Sequence, residues 1–228
     1  FFDQAALACG LVIVPLYTDD RPDNIAYIMS DSAVRVLLVQ DAAVWKRLGP
    51  ALAGQEDLQR VLILSSVLNS TTASPTEVLA DERVRFVSDW LPDNPVPLRK
   101  RGGDPHALAS IVYTSGTTGR PKGVMLTHHN MLSIAHSALT MIDVYQEDLF
   151  LSFLPLSHTL ERTAGYYLPV MSGSAVAYAR SILQLADDLL NIRPTVMIAV
   201  PRIFERVFAR IQGQLDKQSG FKRALFNM

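Results

Sequence analysis

A chain of 228 residues, 49% hydrophobic and 19% charged, carries enough apolar material for a sizeable core, which excludes a disordered or fibrous protein. A net charge of −1 gives no electrostatic case for binding nucleic acid. Cys9 is the only cysteine, so no intrachain disulfide can form; it reads as a core residue, and the expected setting is the reducing cytoplasm.

The chain opens on Phe1 inside a predicted helix that Gly10 ends. A strand at 11–16 leads through the Asp19-Asp20-Arg21-Pro22 turn into a helix at 22–30. A strand at 34–40, a helix at 41–48 and a strand at 60–65 follow. Residues 66–107 are rich in Ser, Thr, Asp and Pro and read as an irregular connection. Its closing cations, Arg99, Lys100 and Arg101, fit a solvated loop or a contact with anionic lipid. Strands at 109–114 and 123–127 come next, then a helix at 130–142, a strand at 149–154 and a helix at 160–170. A strand at 174–179, a helix at 182–191, a strand at 195–200 and a helix at 202–216 complete the alternation. Residues 221–228 look helical and carry no cap, so the expectation is a piece of a longer protein. Continuous aliphatic runs such as 34–39 imply strands covered on both faces. The expected class is α/β, a largely parallel sheet flanked by helices. The longest apolar runs, 11–16 and 196–200, fall far short of the roughly 20 residues a membrane span needs.

Between two of these strands stands Tyr113-Thr-Ser-Gly-Thr-Thr-Gly-Arg-Pro-Lys-Gly-Val124. From Thr114 through Ser115, Gly116, Thr117 and Thr118 to Gly119, every residue has a hydroxyl or no side chain. Such a segment can wrap backbone N–H groups around an anion, the hydroxyls add donors, and Lys122 supplies a mobile positive charge. A polyphosphate needs this combination. The lysine lies between Pro121 and Gly123, so the Gly-Lys-Ser/Thr run of the P-loop NTPases is missing. Pro121 also biases Arg120 toward extended backbone, so the element is a loop between strands rather than a strand-to-helix turn.

The twelve residues resemble the phosphate loop of the adenylate-forming enzymes, a family of acyl-CoA synthetases, peptide-synthetase adenylation domains and luciferases. They meet every position of its pattern, [YF]-[TS]-[ST]-G-[ST]-T-G-x-P-K-G-V. A second segment, Leu151-Ser-Phe-Leu-Pro-Leu-Ser-His-Thr-Leu-Glu-Arg-Thr163, is similar to the "LPL-x-H-x-x-ER" segment of the long-chain fatty acyl-CoA synthetases. A third, Val200-Pro-Arg-Ile-Phe-Glu-Arg-Val207, is similar to their "VPR-x-[FW]-E-[KR]" segment, and residues 10–17 fit the family's early strand.

The resemblance implies an incomplete N-terminal AMP-binding domain, with 1–65 and 108–228 as α/β parts joined by 66–107 and the C-terminal domain absent. It implies that ATP, with Mg²⁺, activates a long-chain fatty acid as the acyl-adenylate, which then passes to coenzyme A. Residues Thr114 to Gly119 and Lys122 would bind the phosphates, with Thr114 a candidate Mg²⁺ ligand. His158, expected at a strand's carboxyl end, would orient the carboxylate or acyl chain, or else sit hydrogen-bonded at a helix start. Glu161 would touch the acyl-adenylate or pair structurally with Arg162. Tyr166, with Tyr167 and Leu168, would line an acyl pocket or belong to plain core. Arg202 and Glu205 fall three apart on one helix face, close enough to pair. The family's "GYG-x-TE" and "TGD" motifs are not in these residues, and neither is its C-terminal lysine, so residues 1–228 alone are expected to be inactive. A fatty acyl-AMP ligase, a carrier-loading adenylation domain and a non-catalytic binding module stay open. Peripheral contact with the inner membrane face is compatible with all of these.

Overall fold

Most of the predicted aliphatic runs form strands, and among the described residues these assemble into three small sheets rather than one continuous sheet. The computed structural model describes residues 1–64, 80–94, 103–114 and 119–215. These divide into two units: residues 1–134 with 156–159, and residues 135–155 with those from 160 onward.

The first unit begins with α1 (Phe2–Ala8), which Gly10 ends in the left-handed region at φ 74°. The predicted strand at 11–16 shrinks to one residue. Ile13 donates to the Ala109 carbonyl at 2.9 Å and accepts from Ile111 N and Ser110 Oγ, each at 2.9 Å. Pro15 has no N–H to extend that pairing. Helix α2 (Pro22–Asp31) starts with proline in its first turn, and Asp20 Oδ1 accepts from Arg21 N and Asn24 Nδ2 at its entrance. Then come β1 (Val36–Val39), α3 (Ala42–Leu52) and β2 (Arg60–Ile63). Asp41 caps α3 by accepting from Val44 N at 2.9 Å.

The stretch expected to be irregular, 66–107, contains β3 (Val84–Phe86) and a single helical turn, α4 (Val87–Trp90). Strands β1, β2 and β3 pair in parallel in that order. Three residues flanked by charge are too few to reveal alternation, yet Val84 and Phe86 are buried around the exposed Arg85. Residues 65–79 and 95–102, with the basic triplet at 99–101, lie outside the described residues. Ile25 and Met29 of α2 pack with Trp45, Leu48 and Leu52 of α3 on Leu37, Val39, Val61, Ile63, Val84 and Phe86. Burial at about 25 cal/mol per Å² of apolar surface holds this layer together.

The end of α2 carries a testable fault. Val34 N donates to Met29 O and Ala33 N to Ser30 O, a Schellman closure that puts Ala33 in the left-handed region at φ 49°. At the matching position of α1 stands Gly10. An alanine there costs about 1 kcal/mol. Ala33→Gly is therefore expected to stabilise the protein by about that amount, read as a higher midpoint in denaturant at unchanged m-value.

Strands β4 (Leu108–Thr114) and β5 (Lys122–Thr127) form an antiparallel pair, and α5 (His128–Met141) follows directly. Thr127 Oγ1 accepts from Asn130 N at 3.1 Å, while Asn130 Oδ1 takes Thr127 N at 3.0 Å. This reciprocal pair starts the helix.

In the second unit, β6 (Leu149–Ser152) lies between β7 (Ala175–Tyr178) and β8 (Val196–Met197), both parallel to it. β6 ends three residues before Pro155, earlier than predicted, and β8 is much shorter than 195–200. A π-helix (Glu161–Tyr167) runs into α6 (Leu168–Ser172), replacing the expected uniform α-helix. A 3₁₀ turn precedes α7 (Leu185–Ile192), and α8 (Pro201–Leu215) closes the described chain. Leu151, Leu185 and Ile203 form a small core here. Asp148 ties the strand starts together, accepting from Tyr145 N and Thr195 Oγ1, each at 2.7 Å. The predicted class, α/β with largely parallel sheets flanked by helices, holds.

Candidate functional site

Strands β4 and β5 flank the Gly/Ser/Thr loop, and their antiparallel register decides which side chains face each other at its two ends. The last rung pairs Thr114 with Lys122, and the rung before it pairs Tyr113 with Gly123. Directly opposed residues have Cβ atoms about 5 Å apart on one face. The structure thus sets the Thr114 hydroxyl and the Lys122 side chain on the same side of the hairpin, one on each strand where the loop begins and ends. Both residues are exposed. Gly119 lies just before the second strand at φ 106°, a backbone state that glycine adopts most readily. Ser115, Gly116, Thr117 and Thr118 lie outside the described residues.

On the opposite side of the same ladder, the Tyr113 ring lies across Gly123. A Cβ on Gly123 would come within 3.0 Å of Tyr113 Cζ and 2.8 Å of Ile111 Cγ2. That position stays glycine for space. Tyr113 Oη donates to Asp31 Oδ2 at 2.6 Å. Burial first, then this bond, pushes the phenol up to about 12, so it keeps its proton. The Arg120 guanidinium lies 5.1 Å from the centre of the Tyr27 ring.

His158 is exposed in the turn after β6, with its ring 6.5 Å from that of Tyr17. Among the described residues, the buried Oγ of its neighbour Ser157 has no hydrogen-bond partner. Pattern reading passed over this serine because hydroxyls are common in turns. A buried hydroxyl without a partner is uncommon, and it gives Ser157 a claim beside His158.

Glu161, in the second unit, is fully buried at 0% exposure. Its Oε1 accepts from Ser152 Oγ at 2.5 Å, and its Oε2 has no partner among the described residues. Gly165 makes room for the carboxyl, since a Cβ there would stand 2.6 Å from Glu161 Cδ and closer still to Oε1. Burial raises the Glu161 pKa, and the Ser152 bond only partly opposes it. Arg162 is also buried, its guanidinium 5.4 Å over the Tyr167 ring, and Tyr166 is half-buried with its ring 5.0 Å from that of Tyr167. Arg202 and Glu205 of α8 are both exposed, and no ion pair joins them. An exposed pair gains too little over hydration to hold its geometry.

The raised Glu161 pKa has a measurable sign. A carboxyl that holds its proton longer in the folded state adds stability below its ordinary pKa of 4.5, and that contribution is lost as pH rises through the folded value. Glu161→Gln keeps the acceptor for Ser152 without the charge. The variant should gain on the wild type as pH rises above about 4.5, with the two denaturant midpoints diverging until the folded-state carboxyl is ionised. Parallel midpoints would contradict a buried, uncompensated carboxyl.

Among the described residues, no group of three or more His, Cys, Asp or Glu could hold a metal ion, and no helix is long and apolar enough to cross a membrane. The family model for AMP-binding enzymes matches residues 1–226. The chain is 33% identical over 229 residues to long chain acyl-CoA synthetase 6, peroxisomal, of Arabidopsis thaliana, covering 99% of this chain and 32% of that protein. It is 30% identical over 227 residues to fatty acyl-CoA synthetase A of Dictyostelium discoideum, covering 99% and 33%. The chain therefore spans about a third of the length of these relatives. Among solved structures it resembles ATP-bound MatB from Rhodopseudomonas palustris, with a TM-score of 0.67, 21% identity, and coverage of 90% of this chain and 37% of that one. At that identity the likeness concerns the fold.

Proposed function

We propose, from the premise that this chain belongs to the AMP-binding enzyme family, that the protein carrying it activates long-chain fatty acids. The first step is attack of a fatty-acid carboxylate oxygen on the α-phosphorus of ATP, with the bond to the β-phosphate bridge breaking and pyrophosphate leaving. In the second, the thiol of coenzyme A attacks the acyl carbonyl, AMP leaves, and the thiol proton passes to water. Neither step needs a protein nucleophile. Both need charge held by preorganised donors and reacting atoms held in line.

The observation that carries this reading is the Thr114–Lys122 rung at the ends of a hydroxyl- and glycine-rich loop. In our assignment Lys122 neutralises the β- and γ-phosphates, and the hydroxyls and backbone of Thr114 to Gly119 cradle them. The Thr114 hydroxyl would share Mg²⁺ with substrate phosphate oxygens, the ion keeping several of its waters. When bound, the ion supplies further neutralisation of phosphate charge. His158, with Ser157 beside it, orients the carboxylate. Tyr166 lines the acyl chain's path, and Glu161 acts from the interior by fixing the π-helix that carries Tyr166. The two relatives are named for acyl-CoA synthesis, which favours coenzyme A as the acceptor. Fatty acids partition into bilayers, so a peripheral position at the cytoplasmic membrane face fits.

The test is product analysis with the complete protein, ATP, Mg²⁺, coenzyme A and a saturated long-chain acid. Equal amounts of acyl-CoA and AMP are the expected products. Acyl-adenylate that builds up without thioester would assign the protein to the acyl-AMP ligases or carrier-loading enzymes instead. No product at all would leave a non-catalytic binding module.

A further inference from the structure

We infer that one face of α2 holds the two segments that carry Thr114 and Lys122, with Tyr27 and Asp31 as positioning residues for ATP. The inference rests on the reading of that loop given above. Tyr27 and Asp31 are four residues apart on a helix and so lie on one face. Asp31 accepts the hydrogen bond of Tyr113, the residue before Thr114, across 82 positions of sequence. Tyr27 carries the Arg120 guanidinium, two residues before Lys122. The strand that enters the loop and the arginine that leaves it are thus tied to the same helix, one turn apart.

The support behind this face is rigid. Ile25, Ile28 and Met29 of α2 are buried, and Ile25 and Met29 belong to the core of the first sheet. Gly123 leaves the space that the Tyr113 ring needs to reach Asp31. Because Tyr113 keeps its proton, the bond to Asp31 persists across the physiological range. The seat on Tyr27 also gives Arg120 a partner away from the Thr114–Lys122 rung. With Thr114 and Lys122 already placed by these two ties, less freedom is lost when they meet a triphosphate, so the effect falls on ATP binding.

Steady-state kinetics of the complete protein test this with Tyr113→Phe, Asp31→Ala, Tyr27→Leu and the double variant Asp31→Ala/Tyr27→Leu. Each single change should raise KM for ATP about threefold and the double change about tenfold, as loss of one or two modest contacts predicts. KM for the fatty acid should stay within about twofold, a split that a general loss of structure would not produce. Tyr113→Phe combined with Asp31→Ala should cost no more than either alone, because both remove one bond. A double variant with wild-type KM for ATP overturns the inference, as does an equal rise in KM for both substrates. If the double variant does not fold, the near-isosteric Tyr113→Phe decides by the same criteria. A wild-type protein that forms no acyl-adenylate would defeat the functional reading itself, a separate outcome.

Discussion

Lys122→Ala in the complete protein is expected to lower kcat/KM for ATP by about 10²-fold, the usual cost of removing one preorganised group that meets developing charge. The lysine stands on the first residue of β5, directly across the ladder from Thr114, so its attachment point is fixed while its long stem stays mobile. It is exposed and so free to meet a ligand. Arg120 is already seated over Tyr27 and is not positioned to replace it. Lys122→Arg should recover only part of the loss, because a planar guanidinium is not a compact point charge. Stability should barely change, since the side chain buries nothing. A variant with wild-type kcat/KM would remove Lys122 from the phosphate site.

Gly165→Ala is expected to destabilise the protein by about 2 kcal/mol, within the range for overpacking a tight interior. The added methyl would stand 2.6 Å from Glu161 Cδ. A carboxyl at the end of a flexible chain can usually swing away, but this one is fully buried and held by Ser152. Moving it breaks that bond and leaves the serine hydroxyl buried without a partner. A double-mutant cycle isolates the cause. Glu161→Ala should cost less in the Gly165→Ala background than alone, because the methyl then fills the space the carboxyl leaves. Strict additivity would show that the methyl does its damage elsewhere.

Much of the framework is legible in the sequence. The aliphatic runs at β1, β2, β4 and β6 are unambiguous, whereas α5 starts at His128, two residues before the predicted 130, because Thr127 and Asn130 bond reciprocally across its first turn. The failures have specific physical causes. Pro15 halts pairing that the run at 11–16 otherwise favours. β3 is too short to show a period, and its place is set by pairing with β2. A π-helix differs from an α-helix only in hydrogen-bond register, so residues 161–167 look like any amphipathic turn. At the site, the loop motif names Thr114, Gly119 and Lys122 by their chemistry, but only the register shows that Thr114 and Lys122 face each other. Gly123 reads as part of the motif, whereas its role as the floor under Tyr113 is visible only in three dimensions. Tyr27 and Asp31 carry no local signal, because their partners lie more than 80 residues away.

The central claim is that this loop serves adenylation of a long-chain fatty acid, and pyrophosphate exchange measures that step directly. With the complete protein, ATP and Mg²⁺, label should pass from pyrophosphate into ATP only when a fatty acid is present. Exchange should be faster with long-chain than with short or aromatic acids, and should fall sharply in Lys122→Ala. Exchange that favours short, aromatic or amino acids, or that is absent with every fatty acid tried, would contradict the account.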